Sequence, residues 1–130
     1  MKILSEQQME KLIENGKKIK VGFKGEIPVV AFLKLSGSGW MLASVDPDNH
    51  DKAYGLMEIA GGPPELGYVS LEELEGLTGF NDNKISHDPM FEHADKLDIH
   101  KYAKMAKQIG QISLRMTERI TKDDLQGLID

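Results

Sequence analysis

The sequence predicts an α+β fold, an antiparallel sheet of four or five strands packed against an N-terminal and a C-terminal helix. Three observations predict it. Apolar residues recur at helical spacing near both ends, short β-branched or alternating runs separated by turn residues fill residues 19–60, and no strand alternates with a crossover helix.

The first helix is expected over residues 5–15, with Ser5 as N-cap, Gln8 as its capping-box partner and Gly16 as the left-handed stop. Met9, Leu12 and Ile13 form its apolar stripe. Beyond it, Ile19, Val21 and Phe23 alternate with polar residues or glycine and read as a half-buried strand. Residues 28–35 are apolar on both faces, as in a central strand, with Pro28 tolerated at the start. Residues 36–39 (SGSG) make a turn and residues 40–45 the antiparallel return. The Asp-rich stretch 46–51 is a second turn, and residues 53–60 give a third strand.

The stretch AGGPPELGYVSLEEL (60–74) is the most patterned piece of the chain. Its two prolines forbid a central strand, residues 66–70 regain an extended segment, and Ser70 with Glu73 caps a short helix. Glu65 and Tyr68 are left over. Their structural role would be to tie the corner, Glu65 accepting backbone N–H groups and Tyr68 packing its ring. A functional role requires both on one rim with Trp40 or Asp46. Residues 78–89 are loop-like, a strong helix runs from Asp98 to Gly110, and residues 113–130 read as a helical extension to a single domain spanning residues 1–112.

Composition narrows the chemistry. Sixteen basic against 21 acidic side chains give a net charge of −5, the wrong sign for a general nucleic-acid binder. The absence of cysteine removes disulfides, thiolate metal sites and cysteine nucleophiles. Neither a signal peptide's apolar region nor a bilayer-spanning run is present, so a cytoplasmic protein without membrane contact is expected.

Motif searches mostly exclude. The glycines at 61–62 precede two prolines and no Gly-Lys-Ser/Thr, so a phosphate loop is missing both its donors and its lysine. An EF-hand begun at Asp46 and Asp48 puts Asp51 where glycine is required and Met57 where the bidentate glutamate belongs. Ser86, His87 and Asp88 are consecutive, and consecutive side chains do not converge as a triad must. The densest set of metal-ligating types is His87, Asp88, Glu92 and His93, a ligand set with loose spacing. No cofactor is expected. Phe23 and Trp40 with Lys17, Lys18, Lys20 and Lys24 would be the elements of a single-strand nucleic-acid surface.

Trp40, Asp46-Pro47, Tyr54-Gly55-Leu56 and Pro64 through Leu74 together resemble the domain-of-unknown-function family 2958, over roughly residues 3–112. Ser44-Val45 and Ile85-Ser86-His87-Asp88 depart from the family's usual Ser-Glu and Ile-Glu-Arg-Asp. The resemblance implies a gene of conjugative plasmids, integrative elements or phages, and carries no catalytic residues. It implies an accessory protein that acts by binding a host or element-encoded protein, inhibition of a defence nuclease being the sharpest form. Trp40, Asp46, Glu65 and Tyr68 are the expected binding residues. The alternatives are a small metal-dependent or hydrolytic enzyme built on residues 86–93 with Glu65, and a direct single-strand nucleic-acid binder.

Overall fold

The computed structural model describes residues 3–60 and 62–112, apart from the side chains of Phe80 and His93. The extension expected over residues 113–130 lies outside the described residues. Helix α1 (Glu6–Lys20) is followed by strands β1 (Ala31–Leu35), β2 (Ser38–Asp46), β3 (Asn49–Glu58) and β4 (Glu65–Ser70). Helix α2 (Leu71–Glu75), the short strand β5 (Ser86–His87) and helix α3 (Ile99–Ile109) complete the order. The strands form one antiparallel sheet in the order β4-β3-β2-β1-β5, a four-strand meander with β5 added beside β1. The α+β expectation holds, with five strands.

Side-chain alternation sorts the core onto the two faces of the sheet. Leu33, Trp40, Leu42, Val45 and Ala53 point to the face covered by α1 and α2, where they meet Leu12, Leu71 and Leu74. Phe32, Met41, Ala43 and Leu56 point to the other face and meet Phe91, Leu97, Ile99, Tyr102 and Met105 around α3. The central strand β2 is buried on both faces from Gly39 to Val45. A register shift between Leu42 and Ser44 lets Ala43 face α3 while Val45 returns to the α1 side.

The capping residues read from sequence act as expected at two helix starts. Ser5 and Gln8 form a reciprocal capping box, with bonds of 3.1 and 3.0 Å. Ser70 accepts the Glu73 N–H at 3.2 Å, and its hydroxyl donates to Asp51 at 2.6 Å. Asp51 also accepts the Glu72 N–H at 2.8 Å, and these bonds, the Ser70 hydroxyl first, hold its carboxyl below the usual range. Asp98 caps α3, and Gly110 ends it in the left-handed conformation at φ 89°.

The stop of α1 is a correction. The helix runs through Gly16 to Lys20, and the left-handed residue is Gly22 at φ 80°. Phe23 N–H bonds the Lys18 carbonyl at 3.0 Å and Gly22 N–H bonds Ile19 at 3.1 Å, the paired bonds of a Schellman ending. Gly16 is instead a point of close approach, because a Cβ there would lie 1.9 Å from the Val45 carbonyl oxygen. The strand expected at Ile19, Val21 and Phe23 therefore does not form. The Asp-rich turn also shrinks to Pro47-Asp48, since Asp46 already pairs with Asn49.

Tyr102 anchors α3 from the centre of its core. Its side chain is fully buried, and its hydroxyl donates to the Asp95 carbonyl at 2.8 Å while accepting from Leu97 N–H at 3.4 Å. Burial pushes the hydroxyl up to about 12 from an ordinary value near 10. A folded-state value above the unfolded one means stability present below about pH 10 and lost as pH rises towards 12, about 2–3 kcal/mol in all. Urea unfolding between pH 9 and 11 should show this decline, and Tyr102→Phe should remove the tyrosine's share of the slope. An identical slope in the variant would detach the effect from Tyr102.

Candidate binding groove

The end of α1 leaves three apolar side chains in water. Ile19 is 44% exposed, Val21 82% and Phe23 46%, because the Schellman ending turns the chain away from the sheet before they reach a core. Ile19 and Phe23 form one wall of a groove of about 910 Å³. Its floor and far wall come from Ser44–Asp46 at the end of β2, Lys52 and Tyr54 on β3, Tyr68 on β4, and the first turn of α3.

Tyr54 and Tyr68 are cross-strand partners, so their rings stand on the same face, centroids 5.2 Å apart at 54°. Tyr68 remains 61% exposed. The Lys52 ammonium lies 4.5 Å from the Tyr68 ring centre, and Lys18 lies 5.3 Å from that of Phe23. Partial burial, then the neighbouring Tyr68, raises the Tyr54 hydroxyl above its ordinary value.

The charges around the groove are largely satisfied. Lys20 bonds Asp48, which raises the ammonium above its usual value, and Lys101 does the same with Glu26 at 2.8 Å. Asp46 accepts the Asp48 N–H at 2.8 Å and shapes the turn. Asp98 accepts Ile27 N–H at 2.7 Å and His100 N–H at 2.9 Å, tying the far wall to α3. Lys20, Lys24, Lys52 and Lys101 stand against Glu26, Asp46, Asp48 and Asp98, four charges of each sign and a net of zero with His100 neutral. A balanced rim supplies none of the field that concentrates a polyphosphate.

Of the expected binding residues, Asp46 and Tyr68 meet here. Trp40 does not, being 4% exposed on the α1 face beneath β2 and β3. Glu65 is exposed, yet it pairs with Met57 and so projects to the face opposite Tyr68. It accepts no backbone N–H among the described residues. Three positions apart on a strand, Glu65 and Tyr68 cannot share a face.

The possible metal ligands have other duties. The His87 ring nitrogen Nε2 lies 2.6 Å from the Ile3 carbonyl oxygen. Asp88 is buried, accepting Met90 N–H at 2.7 Å through one oxygen, with the other 3.7 Å from the Lys34 ammonium. Glu92 is exposed, and the His93 side chain lies outside the described residues. Among the described residues no group of three or more His, Asp or Glu side chains is placed to hold a metal ion. A second groove of about 930 Å³ runs past His87, Glu92 and Lys96. There Lys96 donates to the Phe91 and Ala94 carbonyls over the Phe91 ring, and burial lowers its ammonium. His87 and Lys96 are thus both engaged by the chain's own backbone.

Sequence reading missed Ile19, Lys52, Tyr54, His100 and Lys101 as groove residues. The signal that could have found the first was the glycine at 22, which marks the true end of α1 and strands Ile19 and Phe23 beside it. No helix among the described residues is long and apolar enough to cross a membrane. No curated protein and no solved structure matches the chain. The family described as protein of unknown function (DUF2958) matches residues 3–113. With that match extending over most of its length, the chain belongs to this family.

Proposed function

We propose that the protein is a non-enzymatic accessory factor that binds another protein through the groove between α1 and the Tyr54–Tyr68 pair. The supporting observation is the meeting of three exposed apolar side chains, Ile19, Phe23 and Tyr68, from distant parts of the chain on one charge-balanced groove. Aromatic anchors in a groove with a polar rim are the composition of protein interfaces. The mobile-element setting implied by the family resemblance makes a host or element-encoded partner, a defence nuclease first, the one to test.

Capture of the tagged full-length protein from host lysate, with and without added nuclease, followed by mass spectrometry, tests this. A stoichiometric protein that survives nuclease treatment is the expected result. Phe23→Ala with Tyr68→Ala should weaken its binding by about a hundredfold, roughly a factor of ten per anchor. The melting temperature should stay within about 2 °C, since Tyr68 is mostly solvated and the half-exposed Phe23 belongs to neither core cluster. A partner held equally well by the double variant would remove the groove from the reading. Loss of the partner on nuclease treatment would favour direct nucleic-acid binding instead.

A further inference from the structure

The two edges of the sheet are finished differently. The β5 edge is two residues long and runs into Asp88-Pro89, where the proline has no N–H to offer. The β4 edge is six residues long and pairs with β3 in unbroken register from Glu65 to Ser70. It contains neither lysine nor proline and no bulge, the devices that usually guard an exposed strand. Among the described residues, no backbone hydrogen bond reaches its outer side. Every second residue of β4 therefore directs outward an N–H and a C=O that no described residue engages.

We infer that the β4 edge is a strand-addition site for an extended peptide segment of a partner protein, one that sets an apolar side chain against Tyr68 and a carboxylate within reach of Lys52. The inference rests on the protein-binding reading above and gives it a geometry, because Tyr68 belongs both to this edge and to the groove.

The backbone specifies an extended occupant, since only another strand answers a row of alternating donors and acceptors. Charge specifies its side chains. Lys52 pairs across the sheet with Ser70, so it shares a face with Tyr68 and projects over that ring. It makes no ion pair among the described residues, whereas Lys20 and Lys101 in the same groove each hold a carboxylate. An added strand brings its own side chains onto this face beside Tyr68, where an acidic one meets the uncompensated ammonium. A second copy of β4 does not fit this chemistry. On the Tyr68 face it carries only Leu66, Tyr68 and Ser70, and its one carboxylate, Glu65, lies on the other face.

The test is a displayed library of random peptides of about 12 residues, long enough to cover the edge, selected on the full-length protein. Enriched sequences should place an acidic residue at the next same-face position from an apolar one. In synthetic versions, N-methylation at alternate backbone positions should weaken binding by about tenfold or more, with the intervening positions nearly silent. Lys52→Glu should lose about tenfold, regained when the peptide's acid is exchanged for lysine. The outward-facing amides of β4, every second one along the strand, should exchange quickly with deuterium in the free protein and slowly in the complex, while the amides bonded to β3 are slow in both.

Peptides insensitive to N-methylation but lost with Phe23→Ala would overturn strand addition while leaving groove binding intact. A library that enriches nothing would overturn it too, with the lysate capture judging the broader reading separately. Protection of the outward-facing β4 amides in the free protein would also overturn it, by showing the edge already filled by a second copy or by residues 113–130.

Discussion

Gly16→Ala should lower the melting temperature by about 10 °C, a loss of roughly 2–3 kcal/mol for a chain of this size. The expectation opposes helix propensity, which favours alanine over glycine by about 1 kcal/mol inside a helix. Packing outweighs it. The added Cβ would stand 1.9 Å from the Val45 carbonyl oxygen and 3.1 Å from its carbon, and both are backbone atoms of the central strand. Neither can rotate away, so α1 must lift by more than an ångström, loosening Leu12 and its neighbours along the same seam. Gly22→Ala is the comparison. Nothing lies within 4 Å of its Cβ position, so only the left-handed backbone is strained, at about 1 kcal/mol. Thermal unfolding followed by circular dichroism measures both. A Gly16→Ala protein as stable as the parent would mean that α1 does not seat on Val45.

Gly16 also shows what kind of information the sequence carried. Helix starts were legible because Ser5 with Gln8, Ser70 with Glu73, and Asp98 act on N–H groups within three residues of themselves. The end of α1 was not legible in that way. Glycine is used at helix stops and at close contacts, and only the position of β2, some 30 residues later, decides between them. The same misplacement turned Ile19, Val21 and Phe23 into a strand, though their alternation is real; they are apolar residues for which the sheet has no place.

The groove suffered more, because its walls come from residues near 20, 46, 54, 68 and 100, joined by strand pairing and not by local signals. Tyr68 and Asp46 stood out through turn chemistry and came together. Trp40 could have been discounted on physical grounds, for it opens a run of apolar residues that suits a strand buried on both faces. Tyr54 was hidden by its ordinary place in an alternating strand, and only the β3–β4 register sets it beside Tyr68.

Asn15→Asp should be the most disruptive single-atom exchange in the protein, and its cost should depend on pH. The Asn15 amide is 6% exposed and donates to the carbonyls of Pro28 at 3.1 Å and Ala43 at 2.8 Å. It thereby joins α1 to the segment entering β1 and to the irregular register of β2. An aspartate there removes both donors and sets an anion against two carbonyl oxygens. Two orphaned acceptors cost about 1–3 kcal/mol each, and an unpaired buried charge adds more, so a loss of about 4 kcal/mol or greater is expected at pH 7. Protonation relieves part of it, because a neutral carboxyl donates one hydrogen bond. The folded-state pKa must then lie above the ordinary carboxylate value of about 4. Stability is accordingly highest below that value and falls as pH rises through the elevated one. Asn15→Ala, which loses the donors without adding charge, should be destabilised by about 2–3 kcal/mol with no pH dependence of its own. Unfolding of both variants at pH 4 and pH 7 separates the terms. A difference between them that is the same at the two pH values would mean that the residue 15 side chain is hydrated, and that α1 is held to the sheet by its apolar contacts alone.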